Sequence, residues 1–351
     1  MLYLFLIITA LISTNEKINN ESLQFKIIDI EKILLDSRIH NDSNTIIQTK
    51  DIFLEKGTTT FKRDWYSDSS LNKSLIPKNY TNWMKKINDK TPLNKLSIPG
   101  THDTCTYAFI GPKILQYIIK LLGATQSWDL EEQLYSGIRF FDIRLGSDSN
   151  IYHGILQTTS NFTNVLSTFI NYLNNNPSEG IIMRLQYNEV YYCQGNECFM
   201  KNVINVLNKY KKYLFLSKNI PTLGEIRGKI FIICEFMEYE NAMDWNDIKL
   251  DIQDYWEFKG RIKEEYNKKI KLIKEFFGKS INSNNVIINH ISASGFYSLT
   301  TIKDVAYVLN EIPYNETNFK GIIPMDFQSE SLVLHIIDRN FYCNNNKKFL
   351  G

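Results

Sequence analysis

Leu96-Ser-Ile-Pro-Gly-Thr-His-Asp-Thr-Cys-Thr-Tyr107 is the stretch on which the fold turns. The apolar run Leu93–Ile98 leads into Pro99-Gly100, and an apolar run bounded by turn residues predicts a buried strand emptying into a loop. That loop at once carries Thr101, His102, Asp103, Thr104 and Thr106. Polar, titratable side chains hung from the end of a rigid strand are a common place for chemistry. A lone strand-end histidine is as readily a structural hydrogen-bonder, so this loop needs a second signal.

The second signal is Gly137-Ile-Arg-Phe-Phe-Asp-Ile-Arg-Leu-Gly146, followed by Ile151-Tyr-His-Gly154. Strand alternation over Ile138–Leu145 places Asp142 and Arg144 on one face. His153 arrives from the next short apolar segment. Two histidines, an arginine and two carboxylates from successive strand ends suit phosphodiester cleavage. One imidazole takes a proton, the other gives one, and a guanidinium holds the phosphate.

The residues Ile98-Pro-Gly-Thr-His-Asp-Thr104, Phe141-Asp-Ile-Arg144 and Tyr152-His-Gly154 resemble the X-region signature of phosphatidylinositol-specific phospholipase C, most closely the small metal-independent bacterial type. The resemblance extends from about Trp83 to Arg339. It implies an irregular TIM-type (β/α) barrel, an α/β fold, preceded here by an N-terminal extension. It also implies roles. His102 would be the general base on the inositol 2-hydroxyl and His153 the general acid on the departing diacylglycerol oxygen. Arg144 would hold the non-bridging phosphate oxygens, and Asp326, in Ile323-Pro-Met-Asp-Phe327, would orient the base. Asp103 and Asp142 complete the set. Calcium-dependent relatives place a carboxylate where this chain has Arg144, so no metal and no other cofactor is expected.

The same resemblance marks departures on the head-group side. Glu235 stands where bacterial members carry an arginine that contacts the inositol ring, and Gln186 or Tyr187 where they carry lysine. Asp254 matches an inositol-binding aspartate, and Trp256 takes the place of the ring-stacking tyrosine. Phosphodiester cleavage is therefore read more directly than the identity of the sugar. A related barrel phosphodiesterase on another phospholipid, or a silent head-group-binding protein, are the alternative functions.

The rest of the chain agrees with a barrel. Leu130–Tyr135, Phe162–Leu173, Phe199–Tyr213, Gly260–Phe277, Thr301–Glu311 and Glu330–Arg339 read as helices. Between them, Gly137–Leu145, Gly180–Gln186, Lys229–Cys234, Val286–Ile291 and Gly321–Asp326 read as strands. This alternation predicts a parallel sheet with helices outside and catalytic groups at the C-terminal strand ends.

With 351 residues and a net charge of +2, the chain offers no electrostatic footprint for nucleic acid. Met1–Ser13 is apolar but too short to span a bilayer, which takes about 20 residues. It fits a secretory leader over residues 1–14, so a secreted protein is expected, and a monomer; the sequons at Asn20, Asn41, Asn72, Asn79, Asn161 and Asn315 are compatible with export. Residues 15–75 read as a separate extension and 76–351 as the catalytic unit. Of five cysteines, Cys193 and Cys198 bracket a polar turn that a local disulfide would close, and without a histidine cluster no zinc site is expected. Residues 110–122, Ile110-Gly-Pro-Lys-Ile-Leu-Gln-Tyr-Ile-Ile-Lys-Leu-Leu122, read as an amphipathic helix. Lys113, Gln116 and Lys120 share one face, and Ile118 and Leu122 belong to an apolar surface suited to a phospholipid membrane or to the barrel core.

Overall fold

The computed structural model describes residues 78–188, 196–235, 239–295 and 300–341. The expected leader, the expected extension over 15–75 and the Cys193 half of the expected disulfide lie outside them. The strands are β1 Ser97–Thr101, β2 Phe140–Leu145, β3 Asn150–His153, β4 Leu156–Asn161, β5 Ile181–Tyr187, β6 Leu214–Phe215, β7 Ile230–Cys234, β8 Met243–Asp244, β9 Leu250–Gln253, β10 Val286–Asn289 and β11 Gly321–Met325. The longer helices are α1 Gln116–Gly123, α2 Leu130–Tyr135, α3 Phe162–Asn175, α4 Asn196–Lys209, α5 Ile262–Ser280, α6 Ile302–Leu309 and α7 Glu330–Asp338.

Eight strands run parallel in the order β6-β7-β5-β2-β1-β11-β10-β9. Among the described residues no ladder joins β9 to the β6 edge, so the curled sheet is an open barrel. That gap is the irregularity the resemblance implies. β3 and β4 form an antiparallel hairpin on β2, and β8 adds a short parallel piece to β7.

Strands covered on both faces should be apolar throughout, and β1, β7, β10 and β11 are buried at every position. The strand does not stop at Pro99-Gly100 as the sequence suggested. Pro99 lacks an N–H, but its carbonyl accepts from Arg139 N at 3.0 Å, and pairing with β11 continues to Thr101. Gly100 is there for room, since a Cβ would lie 2.8 Å from Phe140 Cδ1. β9, which delivers Asp254, is not among the strands expected from the sequence; Leu-Asp-Ile-Gln offers too few residues for a pattern.

At the N-terminal end of β2, Arg139 is fully buried. It donates to Glu179 Oε2 at 3.0 and 2.8 Å, to Leu134 O at 2.9 Å and to Ile138 O at 2.7 Å. This ion pair is closed on all sides and ties β2 to the segment that precedes β5.

Candidate active site

At the C-terminal ends of β1, β2, β3 and β11 the six expected catalytic side chains meet. His102 and Asp103 follow β1 directly, and the loop that carries them is fastened from beneath. Gln126 Nε2 donates to His102 O at 2.7 Å, Thr125 Oγ1 to the same oxygen at 3.0 Å, and Thr106 Oγ1 to Asp103 O at 2.8 Å. Thr101, Thr104 and Thr106 are thus buried fasteners rather than groups offered to a ligand. Asp103 holds φ at 45° and Phe327, just after Asp326, at 44°. Non-glycine residues in this region cost of order 1 kcal/mol or more and recur at functional sites.

His102 Nδ1 lies 2.8 Å from Asp326 Oδ1. Its Nε2 lies 2.7 Å from Arg144 Nη2 and 3.5 Å from Asp103 Oδ2. His153 Nε2 reaches that same Asp103 Oδ2 at 3.4 Å, while its Nδ1 is 2.7 Å from Gly123 O, which fixes that nitrogen as the donor. Arg144 Nε pairs with Asp103 Oδ1, and its Nη2 stands 3.5 Å from Asp142 Oδ2.

The charges reinforce this cage. Burial alone would lower the His102 pKa, but Asp103 and then Asp326 outweigh it and push it up to about 9. The Arg144 contact pulls the other way, because Nη2 at 2.7 Å needs a lone pair on Nε2. These contacts are those of the neutral base, with Nδ1–H donated to Asp326 and the Nε2 lone pair facing Arg144. Burial would raise Asp142, yet Arg184 first and Arg144 next hold it well below the usual carboxylate range. The same ring of carboxylates, chiefly Asp103 and Asp142, keeps Arg144 charged despite burial.

Ligand atoms of His102, Asp103 and Asp142 lie within 4.8 Å of one another, as a metal site would require. The Arg144 guanidinium is the cation already bound to all three. Its planar fork puts a fixed positive charge between these three ligands.

Beside the cage stands a wall formed by β5, β7, β8 and the ends of β9 and β10. Gln186 lies opposite Arg144 in the β2–β5 register, and its Oε1 is buried without a hydrogen-bond partner. Glu235 accepts from Arg184, and burial raises its pKa more than Arg184 lowers it. Asp254 Oδ1 lies 3.8 Å from His290 Nδ1. Trp256 is 51 % exposed, two residues beyond Asp254. It is Trp245, 6 % exposed, that stacks within the wall, with its ring centroid 3.9 Å from Arg184 Cζ.

Three members of the wall were missed by the sequence reading: Arg184, Trp245 and His290. His290 is fully buried, edge-on to His102 at 5.9 Å and to Trp245 at 6.2 Å, and burial pushes its pKa down to about 3. It is therefore a neutral imidazole. Arg184 shares a strand face with Gln186, which period-two alternation could have signalled.

The helix expected over 110–122 is present as α1 after a short turn, but its faces differ from the expectation. Leu115, Ile118 and Ile119 are buried, and the exposed large apolar side chains are Ile110 and Tyr117, beside Lys113 and Lys120. Ile118 is buried because it lies beside Ile119 on the inward arc of the helix.

Residues 97–235 match the family model for the X domain of phosphatidylinositol-specific phospholipase C. A 1-phosphatidylinositol phosphodiesterase of Listeria monocytogenes is 34 % identical over 279 residues, covering 74 % of this chain and 84 % of that protein. One from Staphylococcus aureus is 24 % identical over 329 residues, covering 79 % and 99 %. The solved structure of the phosphatidylinositol-specific phospholipase C from Listeria monocytogenes superimposes with a TM-score of 0.65 at 31 % identity, covering 75 % of this chain and 99 % of that one.

Proposed function

The chain belongs to the phosphatidylinositol-specific phospholipase C family, and we infer that it cleaves the glycerol–phosphate bond of phosphatidylinositol, giving diacylglycerol and inositol 1,2-cyclic phosphate. The observation that carries this reading is the meeting of His102 Nε2 and His153 Nε2 on one oxygen, Asp103 Oδ2, with Arg144 on the other oxygen of the same carboxylate. Two imidazoles cannot then be farther apart than those two short contacts laid end to end. A single phosphorus with its attacking and leaving oxygens fits that span.

The chemistry follows atom by atom. His102 Nε2 takes the proton from the ring 2-hydroxyl, and that oxygen attacks phosphorus. His153, held at Nδ1 by Gly123 O, gives its Nε2 proton to the glycerol oxygen as the bond to phosphorus breaks. Arg144 leaves His102 to take the non-bridging oxygens, so binding of the phosphate uncovers the base. Asp326 holds His102 in the tautomer with Nδ1–H and stabilises the imidazolium that forms. Glu235, Gln186, Asp254 and the half-exposed Trp256 are assigned to the head group.

The substrate would be met at a membrane. Ile110 and Lys113 just before α1 and Tyr117 and Lys120 on it are exposed apolar and basic side chains, and the last residue of α1 holds the catalytic acid. Among the described residues no helix is long and apolar enough to cross a bilayer. The apolar leader expected over Met1–Ser13 would place the protein outside the cell.

Two alanine variants test the roles. His102→Ala should lose about 10²–10⁴-fold in kcat on every substrate. His153→Ala should lose a similar factor on phosphatidylinositol and regain most of it on an inositol phosphodiester with a nitrophenol leaving group, which departs without a proton. Equal losses on both substrates for both variants would refute the division of labour.

A further inference from the structure

Arg184 is 3 % exposed, on β5, and its guanidinium lies between two carboxylates. In the β2–β5 register it lies directly opposite Asp142, and in the β5–β7 register one diagonal step from Glu235. Its Nη1 stands 3.3 Å from Asp142 Oδ1. On its other side Nε and Nη2 both donate to Glu235 Oε2, at 2.9 and 2.5 Å. Its face lies 3.9 Å from the Trp245 ring centroid. Asp142 in turn offers Oδ2 to Arg144 at 3.5 Å and to Asp103 N at 3.2 Å. A row of alternating charge thus runs from Glu235, 27 % exposed, through Arg184 and Asp142 to the phosphate-binding guanidinium.

A buried ion pair is weak evidence for stability, and this protein shows what a structural one looks like. Arg139 and Glu179 are both fully enclosed, and Arg139 is hydrogen-bonded to backbone carbonyls as well as to the carboxylate. The Arg184 row differs on both counts. One end, Glu235, is partly exposed beside the reaction centre, and Arg184 Nη1 and Asp142 Oδ1 are buried with only their ion-pair contact and no hydrogen bond. Both contacts to Glu235 use Oε2, which leaves Oε1 for a hydroxyl.

We propose that Arg184 is a positioning residue that yokes recognition to reaction: one edge holds Glu235 so that Oε1 accepts a ring hydroxyl, and the other holds Asp142, and through it Arg144. This rests on the phosphodiesterase reading above. It makes a polyol head group, seated on Glu235, the ligand that tightens the phosphate-binding arm. A lysine could not do the same, because a single ammonium lacks the planar fork that meets two carboxylates at once.

Kinetics on phosphatidylinositol test the yoke with Glu235→Gln, Arg184→Met, Arg184→Lys and the double variant Arg184→Met/Glu235→Gln. Glu235→Gln should act mainly on KM, raising it about tenfold. Arg184→Met keeps the stem over Trp245 but frees both carboxylates, so KM should rise and kcat fall, each about tenfold. Arg184→Lys should keep the thermal midpoint of the wild type and still lose kcat. In the double variant KM should match that of Arg184→Met alone, since the two act as one unit. A folded Arg184→Met or Arg184→Lys with kcat within twofold of wild type overturns the proposal, as do strictly additive KM effects. Should the wild type form no cyclic phosphate, the phosphodiesterase reading fails on its own. The yoke is then judged by carbon-13 NMR titration of Glu235. Arg184 lowers that carboxylate's pKa, so Arg184→Met must raise it, and an unshifted titration would overturn the pairing.

Discussion

Around Asp103, two imidazoles and a guanidinium converge on one carboxylate, and each of these groups was visible as a residue of a short motif. Around Arg184, a few ångströms along the same sheet, the groups come from β5 and the residues after β7 and β8, and of these only Glu235 was singled out from the sequence. The reaction centre is built along the chain, each side chain following its strand end. The wall is built across the chain, by register. Chemistry at phosphorus demands particular residue types, whereas recognition of a head group tolerates exchange so long as charges remain paired. The carboxylate at Glu235, where the resemblance implies an arginine, is matched by a guanidinium supplied from the adjacent strand.

Asp326→Asn would probe the reaction-centre side of that contrast with the largest expected effect. The asparagine cannot hold the Nδ1–H tautomer as an anion does, so kcat should fall on the order of 10²-fold with KM little changed. Asp326 is one of the charges that raise the His102 pKa, so its removal lowers that pKa. The base is then free at lower pH, and the ascending limb of kcat/KM should move to the acid side. A limb that stays in place would mean that His102 is not the titrating base.

A smaller effect separates both regions from the membrane. Ile110→Ser combined with Tyr117→Ser should weaken binding to phosphatidylinositol-containing vesicles about three- to tenfold, the loss expected from removing two partly exposed apolar side chains. Turnover of a soluble inositol phosphodiester should stay within twofold. Unchanged sedimentation with vesicles would remove α1 from the interface, and loss on the soluble substrate would show that the helix serves the catalytic acid instead.

Much of the barrel could be read from the sequence because its strands are apolar runs between amphipathic helices, and β7, β10 and β11 fall where those runs do. β4 and β9 could not, since Leu-Gln-Thr-Thr-Ser-Asn and Leu-Asp-Ile-Gln owe their pairing to neighbours rather than to composition. The helix α1 was legible as a helix, but which of its apolar residues are buried required the fold around it. His290 lay inside a strand read for its apolar neighbours, so its neutral, buried ring went unassigned. Arg184 was on an expected strand, opposite an aspartate that the sequence had singled out. What the sequence lacked was the pairing of the two, because register across a sheet is a property of the fold as a whole.

The account depends on Arg144 acting as the cation at phosphorus. Phosphorus-31 NMR of phosphatidylinositol vesicles incubated with the protein in excess chelator tests this directly. The inositol 1,2-cyclic phosphate resonance should grow at the same rate with and without chelator. A signal that the chelator abolishes, and that added calcium restores, would contradict the account.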